Sequence, residues 1–363
     1  MDFESACVRL GWTAERKVQL EVLMRDGGGA ALAAARVAVE HRGAFGLLGG
    51  DVDTARPAGR LRRDGGAWPA VGDWVAVTAS RGGREGIIHH VLPRTSLLAR
   101  KRPGANQAQA VAANVDVVFA VTTAERAPNL RRIERTLALI AAGGARPAIV
   151  LNKVDLARDA AGDLRALASV SGGAPCLATS AATGAGIDDL RALLPTGATG
   201  AMLGPSGAGK SSLVNALLGD ARLETGVVRL TDAKGRHTTT RRELLELPGG
   251  GCLIDTPGVR ELGLWDAGEG IERAFGDVAE VAAACRYRDC QHRGEPGCAV
   301  AAALDSGALD AARFASFEKL RREEAFHDRQ HDPRSAAASK GRWKAIHKQQ
   351  RARSRVDPKL RDD

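Results

Sequence analysis

Aromatic side chains are scarce in this sequence: five Trp, seven Phe and a single Tyr make up 4% of 363 residues. So few rings leave little surface for stacking unpaired bases, which argues against sequence-specific reading of single-stranded nucleic acid. No run of eighteen apolar residues occurs, so no membrane-spanning helix is expected. The first residues, Met1-Asp2-Phe3-Glu4, lack the apolar core of a secretion signal, and a cytoplasmic protein is expected. Cysteines number only six. Without an export signal they point to reduced thiols or metal ligands rather than disulfides.

Charge is present in excess and unevenly placed. Residues 1–110 hold 16 basic and 11 acidic side chains, residues 111–280 hold 18 and 20, and residues 281–363 hold 18 and 12. A near-neutral centre thus lies between two basic ends. This pattern fits an enzyme core flanked by modules that hold a polyanion such as nucleic acid.

The centre is built around Gly204-Pro205-Ser206-Gly207-Ala208-Gly209-Lys210-Ser211, which reads G-x-x-x-x-G-K-S. In a phosphate-binding loop of this form, glycines turn backbone N–H groups toward the nucleotide phosphates. Lys210 reaches the outer phosphates and the Ser211 hydroxyl takes a Mg²⁺ position. The apolar Ala201-Met202-Leu203 precedes it as a strand end. A helix through Ser212 to Leu218 follows, so an anion would sit at a helix N-terminus.

Two further motifs end apolar, strand-like runs. Pro147 to Leu151 delivers Asn152-Lys153-Val154-Asp155. A carboxylate at Asp155 can accept two hydrogen bonds from guanine N1–H and its 2-amino group, a donor pair that adenine lacks. Lys153 can lie along the base, Asn152 can brace the loop, and Ser180-Ala181 can present an N–H to guanine O6. Gly251 to Ile254 delivers Asp255-Thr256-Pro257-Gly258, where Asp255 would hold Mg²⁺ through water and the Gly258 N–H would touch the γ-phosphate. Between them lies His237-Thr238-Thr239-Thr240, the place for a Mg²⁺-ligating Thr, with Thr239 the one expected. Strands and helices alternate from Val115 to Ile254, with helices over 130–142, 160–169 and 187–194, as in a doubly wound parallel sheet.

Before this core, short runs with close-spaced glycines (Arg36–His41, Val71–Val77, Gly86–Pro93) suggest a small five-stranded oligonucleotide-binding barrel. Arg60, Arg62, Arg63, Arg94, Arg100, Lys101 and Arg102 either track a phosphate backbone or form solvated faces. Residues 103–113 read as a polar connector. After the core, Cys285, Cys290, His292 and Cys298 fall within fourteen residues. Three thiolates and an imidazole suit one closed, structural tetrahedral Zn²⁺ site, and Arg286, Arg288 and Arg293 between them could face RNA. Cys7, Cys176 and Cys252 are scattered and read as buried fillers. From Lys340 to Asp363 nine basic and three acidic residues form a strongly basic tail.

The motif order places the guanine-reading sequence before the phosphate loop, the reverse of Ras-like GTPases. With the barrel and the Cys/His cluster, roughly residues 30–335 resemble the ribosome small-subunit-dependent GTPase family (RsgA/YjeQ), whose members are circularly permuted GTPases. Pro205 is a departure, at a place where a less restricted residue is expected. The resemblance implies four parts: residues 1–105 as an N-terminal segment and oligonucleotide-binding-like barrel, 110–265 as a circularly permuted P-loop α/β GTPase domain, 266–335 as a helical zinc-binding domain, and 336–363 as a basic tail. It implies GTP, GDP, the small ribosomal subunit and its rRNA as partners of a monomer. Val259 stands where Ras-like enzymes carry a water-orienting Gln, so slow intrinsic hydrolysis is expected. His237 is the candidate to orient the water, or else a residue that contacts rRNA or solvent. A GTP-gated RNA-binding adaptor with incidental hydrolysis is the alternative.

Overall fold

The computed structural model describes residues 3–26, 31–59, 61, 67–80, 83–101, 108–219, 242–255, 268–287 and 289–331. Five strands, β1 (Ala33–His41), β2 (Ala44–Leu48), β3 (Thr54–Pro57), β4 (Trp74–Ala79) and β5 (Glu85–Val91), pair in the order β1-β2-β3-β5-β4. A β1–β4 pairing closes them into a barrel, and β3–β5 is its parallel pair. The interior holds Ala35, Val37, Phe45, Leu47, Val75, Val77 and Ile88. The period-two pattern of Arg36–His41 predicts an alternately exposed strand, yet Ala34 to Ala38 are all buried. Helices α1 (Phe3–Arg9) and α2 (Ala14–Asp26) explain the difference. Their Cys7 and Leu20, with Leu10 between the two helices, share a core with Ala34, Ala38 and Trp74 on the outer face of the barrel. The Trp12 and Trp74 rings lie 4.7 Å apart.

Arg36 sits in that seam, 1% exposed. Its guanidinium donates to Gly72 O at 3.1 Å, Asn114 O at 3.2 Å and Leu10 O. Burial pushes its pKa down to about 10. One side chain thus ties the N-terminal helices, the barrel and the entry to the next sheet. Such burial is tolerated because the charged group meets several backbone acceptors.

The connector expected at 103–113 is corrected: β6 (Leu97–Lys101) and β7 (Ala108–Ala113) form a hairpin with Leu97 opposite Ala113. Alanine-rich β7 carries little intrinsic strand preference, and its partner imposes the conformation.

The second sheet runs β10-β9-β8-β11-β13-β12, built from β8 (Val117–Thr123), β9 (Arg146–Asn152), β10 (Cys176–Thr179), β11 (Thr199–Leu203), β12 (Glu243–Glu246) and β13 (Cys252–Asp255). All are parallel except β12, which pairs antiparallel with β13. A single register point, Val39 opposite Glu243, continues this sheet into the barrel. Helices α3 (Leu130–Ala142) and α4 (Ala160–Ser169) cover one face, α5 (Ile187–Ala192) and α6 (Lys210–Leu218) the other. Alternate residues of each strand feed the two cores: Val118 and Ala120 pack with Ile133 and Leu137, while Val117, Phe119 and Val121 pack with Leu213 and Leu217. Strands buried on both faces need the near-continuous apolar runs seen here.

Helices α7 (Gly268–Ala274), α8 (Gly276–Ala283), α9 (Ala299–Asp305) and α10 (Ala311–His331) form a C-terminal bundle whose core of Ile271, Phe275, Val278, Phe314 and Phe317 includes Ala138 of α3. Arg313 fixes this junction by binding Asp277, Ala274 O at 3.1 Å and Glu134 Oε1 at 3.0 Å. None of the described helices is long and apolar enough to cross a membrane.

Candidate nucleotide site and metal centre

Because the five strands are parallel, their C-terminal ends share one edge, and ligands of such sheets bind there. Five chain positions arrive at that edge: Thr123, Asn152, Thr179, Leu203 and Asp255. Beyond β11 the phosphate loop turns tightly over the sheet. Gly204 and Gly209 are both in the positive-φ region, at 155° and 86°. A Cβ on Gly204 would lie 2.3 Å from Val121 O, and one on Gly209 2.3 Å from Asn152 Nδ2. Only glycine fits at these two places. Lys210 opens α6, and its ammonium donates to Gly204 O and Pro205 O, both at 2.9 Å. The cation is therefore held across the mouth of the loop, next to the helix N-terminus. Ser206, Gly207, Ser211 and Ser212 are exposed there, while Ala208 is buried.

Asn152, 1% exposed, joins three motifs. Its Nδ2 donates to Ala208 O at 2.9 Å in the phosphate loop. Its Oδ1 accepts from Thr179 Oγ1 at 3.1 Å and from the Ala181 N–H at 3.3 Å. The Ala181 N–H, expected to face guanine O6, is thus turned to Asn152 here. Lys153 adopts a left-handed backbone, φ 64°. Its Nζ meets Glu125 Oε2 at 3.0 Å, and the same oxygen accepts from Thr123 Oγ1 at 3.0 Å. The Lys153 hydrogen bond, then that of Thr123, hold the Glu125 carboxyl below its ordinary range. Asp155 is exposed in a short 3₁₀ turn, Val154–Leu156. Ser180 is buried and its Oγ accepts from the Thr183 N–H at 3.2 Å. Asp255 is half-buried at the end of β13, beside the phosphate-loop strand. Ser211, in the helix that follows β11, and Asp255, at the end of the neighbouring β13, offer a hydroxyl and a carboxylate, donor types suited to a hard divalent cation.

The four metal-ligand candidates converge. The ligand atoms of Cys285, Cys290, His292 and Cys298 all lie within 4.8 Å of one another. His292 Nδ1 is 3.6 Å from both Cys285 Sγ and Cys298 Sγ. Zn–S and Zn–N bonds at tetrahedral angles give an S···N edge of about 3.5 Å. The residues therefore fit one Zn²⁺, with Nδ1 the ligating nitrogen. Cys298 also caps α9, accepting from the Ala301 N–H at 3.3 Å. Glu295 closes the loop by accepting from the Gln291 N–H at 3.0 Å and the Arg293 N–H at 2.6 Å. The ring of His292 stands edge-on to Phe314, 6.1 Å between centroids, which anchors the centre to the bundle core.

The family model described as RsgA GTPase matches residues 91–265. A protein of Opitutus terrae named small ribosomal subunit biogenesis GTPase RsgA is 51% identical over 338 residues, 89% of this chain and 92% of that protein. The chain belongs to the RsgA family of GTPases. A similarly named protein of Syntrophotalea carbinolica is 41% identical over 94% of this chain and 96% of its own length. Among solved structures, YjeQ from Thermotoga maritima is 29% identical, with a TM-score of 0.61 over 81% of this chain and 99% of that one. YloQ, described as a circularly permuted GTPase, shares the fold with a TM-score of 0.60 over 83% of this chain and 96% of its own. As an RsgA-family GTPase the chain has the permuted strand order that its motif order implied, with a five-stranded barrel before it.

Other sequence expectations fare unevenly. Arg94 does not track a backbone: it makes a two-pronged ion pair with Asp73, at 2.8 and 2.7 Å, with Asp73 fully buried. Burial nonetheless raises the Asp73 carboxyl, against the hydrogen bond from Arg94. Cys7 and Cys252 are buried fillers, but Cys176 is half-exposed. Burial pushes the Cys252 thiol up to about 11. His237, Thr239, Gly258, Arg60, Arg62, Arg63, Arg102, Arg288 and the 336–363 tail lie outside the described residues. Glu125, Thr123 and Thr179, which no sequence motif marks, join the hydrogen bonds around Lys153 and Asn152, each at or just past a strand end on the ligand edge.

Proposed function

We propose that this RsgA-family GTPase hydrolyses GTP slowly by itself, is stimulated by the small ribosomal subunit, and assists late maturation of that subunit through rRNA binding. The observation that carries the nucleotide half is Asn152, whose side chain makes the base-reading loop, the Ser180-Ala181 loop and the phosphate loop one unit. The relatives' names carry the ribosomal half.

In this reading Asp155 selects guanine by accepting from N1–H and the 2-amino group, with Lys153 along the base and Ser180-Ala181 at O6. The backbone from Gly204 to Ser212 cradles the phosphates. Lys210 exchanges Gly204 O and Pro205 O for phosphate oxygens. Ser211, Thr239 and Asp255 would hold Mg²⁺, which neutralises charge on the phosphates when bound. Gly258 contacts the γ-phosphate and His237 orients the attacking water. Cys285, Cys290, His292 and Cys298 hold one structural Zn²⁺. Residues 1–105, 266–335 and 336–363 flank the 110–265 GTPase domain and grip rRNA. The protein works as a cytoplasmic monomer.

Val259, which cannot hydrogen-bond water, favours the second reading, an RNA-binding adaptor gated by GTP. Co-sedimentation with purified small and large subunits, loaded with GTP analogue or GDP, tests the partner. Nucleotide-dependent retention on small subunits alone is expected. Equal retention on both subunits would overturn the assignment.

A further inference from the structure

A cavity of about 80 Å³ lies at the seam between α3 of the GTPase sheet and α10 of the C-terminal bundle. Three cations line it: Arg131 and Arg135, one turn apart on α3, and Lys319 on α10. Ala315, Ser316 and Leu320 complete the lining. Volume of this order holds several waters or one tetrahedral oxyanion.

The pairing of charges along the seam is uneven. Arg135 is matched by Glu323, Arg321 by Glu272 and Arg322 by Glu318. Deeper in, Arg313 is matched by Glu134 and Asp277. Among the described residues, no carboxylate pairs with Arg131 or Lys319, and both are exposed. With Arg135 held by Glu323, Arg131 and Lys319 leave two cations at one cavity without a carboxylate partner among the described residues, a local positive potential that favours an anion from outside.

The lining also says which anion. It contains no ring to stack a base and no amide to read one, so it suits a phosphate group rather than a nucleoside. The helix that carries Lys319 precedes the tail, whose Lys340–Asp363 segment has nine basic and three acidic residues. We infer that the Arg131/Arg135/Lys319 cleft is a docking site for the RNA phosphodiester backbone, bridging the GTPase sheet and the metal-bearing bundle. It rests on the ribosomal reading above and adds a contact at the domain seam.

The test uses the full chain and purified small subunits, with binding measured from 0.05 to 0.3 M salt. Each phosphate contact contributes about 0.9 to the slope of log affinity against log salt. The double variant Arg131→Glu/Lys319→Glu should lower that slope by about 2 and weaken binding about tenfold at 0.15 M salt. Arg131→Gln/Lys319→Gln should give a smaller loss in the same direction. Arg158→Glu/Arg165→Glu makes the same charge change on exposed positions outside the cavity and should keep the wild-type slope. GTP turnover without subunits should be equal in all. Wild-type affinity and slope in the double Glu variant, or an equal loss in the control, would overturn the inference alone. A wild-type chain that binds no small subunits would bring down the ribosomal reading and this inference with it.

Discussion

Replacing Asn152 with Ala removes three hydrogen bonds at once, to Ala208 O, Thr179 Oγ1 and the Ala181 N–H. A net intramolecular hydrogen bond contributes about 1 kcal/mol, and a buried group left without its partner costs about 1–3 kcal/mol. Asn152 is 1% exposed, so water replaces its lost partners only in part. The expected total is therefore about 3 kcal/mol, divided between stability of the sheet edge and the order of the two loops that meet the nucleotide. About 2 kcal/mol expressed in binding is close to a thirtyfold weaker GTP affinity. Thr179→Val keeps the shape and removes one bond, so it should lose about a third as much free energy. Asn152→Asp keeps the acceptor but turns an oxygen toward Ala208 O, and should be worse than Thr179→Val. Equilibrium titration with a fluorescent guanine nucleotide, alongside thermal unfolding, reads both components. An Asn152→Ala protein that binds GTP within twofold of wild type, with unchanged unfolding, would refute the reasoning.

Asp155→Asn should lower GTP affinity about a hundredfold, because two charge-assisted hydrogen bonds are lost, and competition titration against ATP should show the preference for guanine shrinking; undiminished discrimination would exclude Asp155 as the base reader. Arg313→Ala should destabilise the fold by about 3–5 kcal/mol, since Glu134, 3% exposed, is left buried without its cation; thermal unfolding should show Arg313→Met/Glu134→Gln much milder than either partner removed alone. Elemental analysis of the purified chain should find one zinc, and Cys290→Ser should lose it and loosen the α7–α10 bundle in hydrogen exchange; full zinc occupancy in that variant would contradict the four-ligand site.

The nucleotide core was legible because its signals repeat across levels. Continuous apolar runs such as Val117–Val121 can be buried on both faces, and each ends in a loop whose residue types suit phosphate or guanine. The Cys/His cluster was legible from spacing alone. What escaped is informative. Strand β7 is alanine-rich and β12 only four residues long, so pairing rather than propensity makes them strands. Arg94 reads from sequence as a solvent or RNA contact, and nothing marks Arg313 at all, because charge in a sequence does not reveal burial. Their partners, Asp73, and Asp277 with Glu134, are separated from them by 21, 36 and 179 positions. Arg36 escaped for the same reason: its acceptors are backbone carbonyls on three different segments, which no side-chain pattern records.

The most direct measurement is GTP turnover by the purified full chain alone and with small subunits, large subunits or naked RNA. The account predicts slow turnover alone and strong stimulation by small subunits only, lost in His237→Ala. Turnover that no ribosomal particle changes would contradict it and leave the GTP-gated adaptor as the better reading.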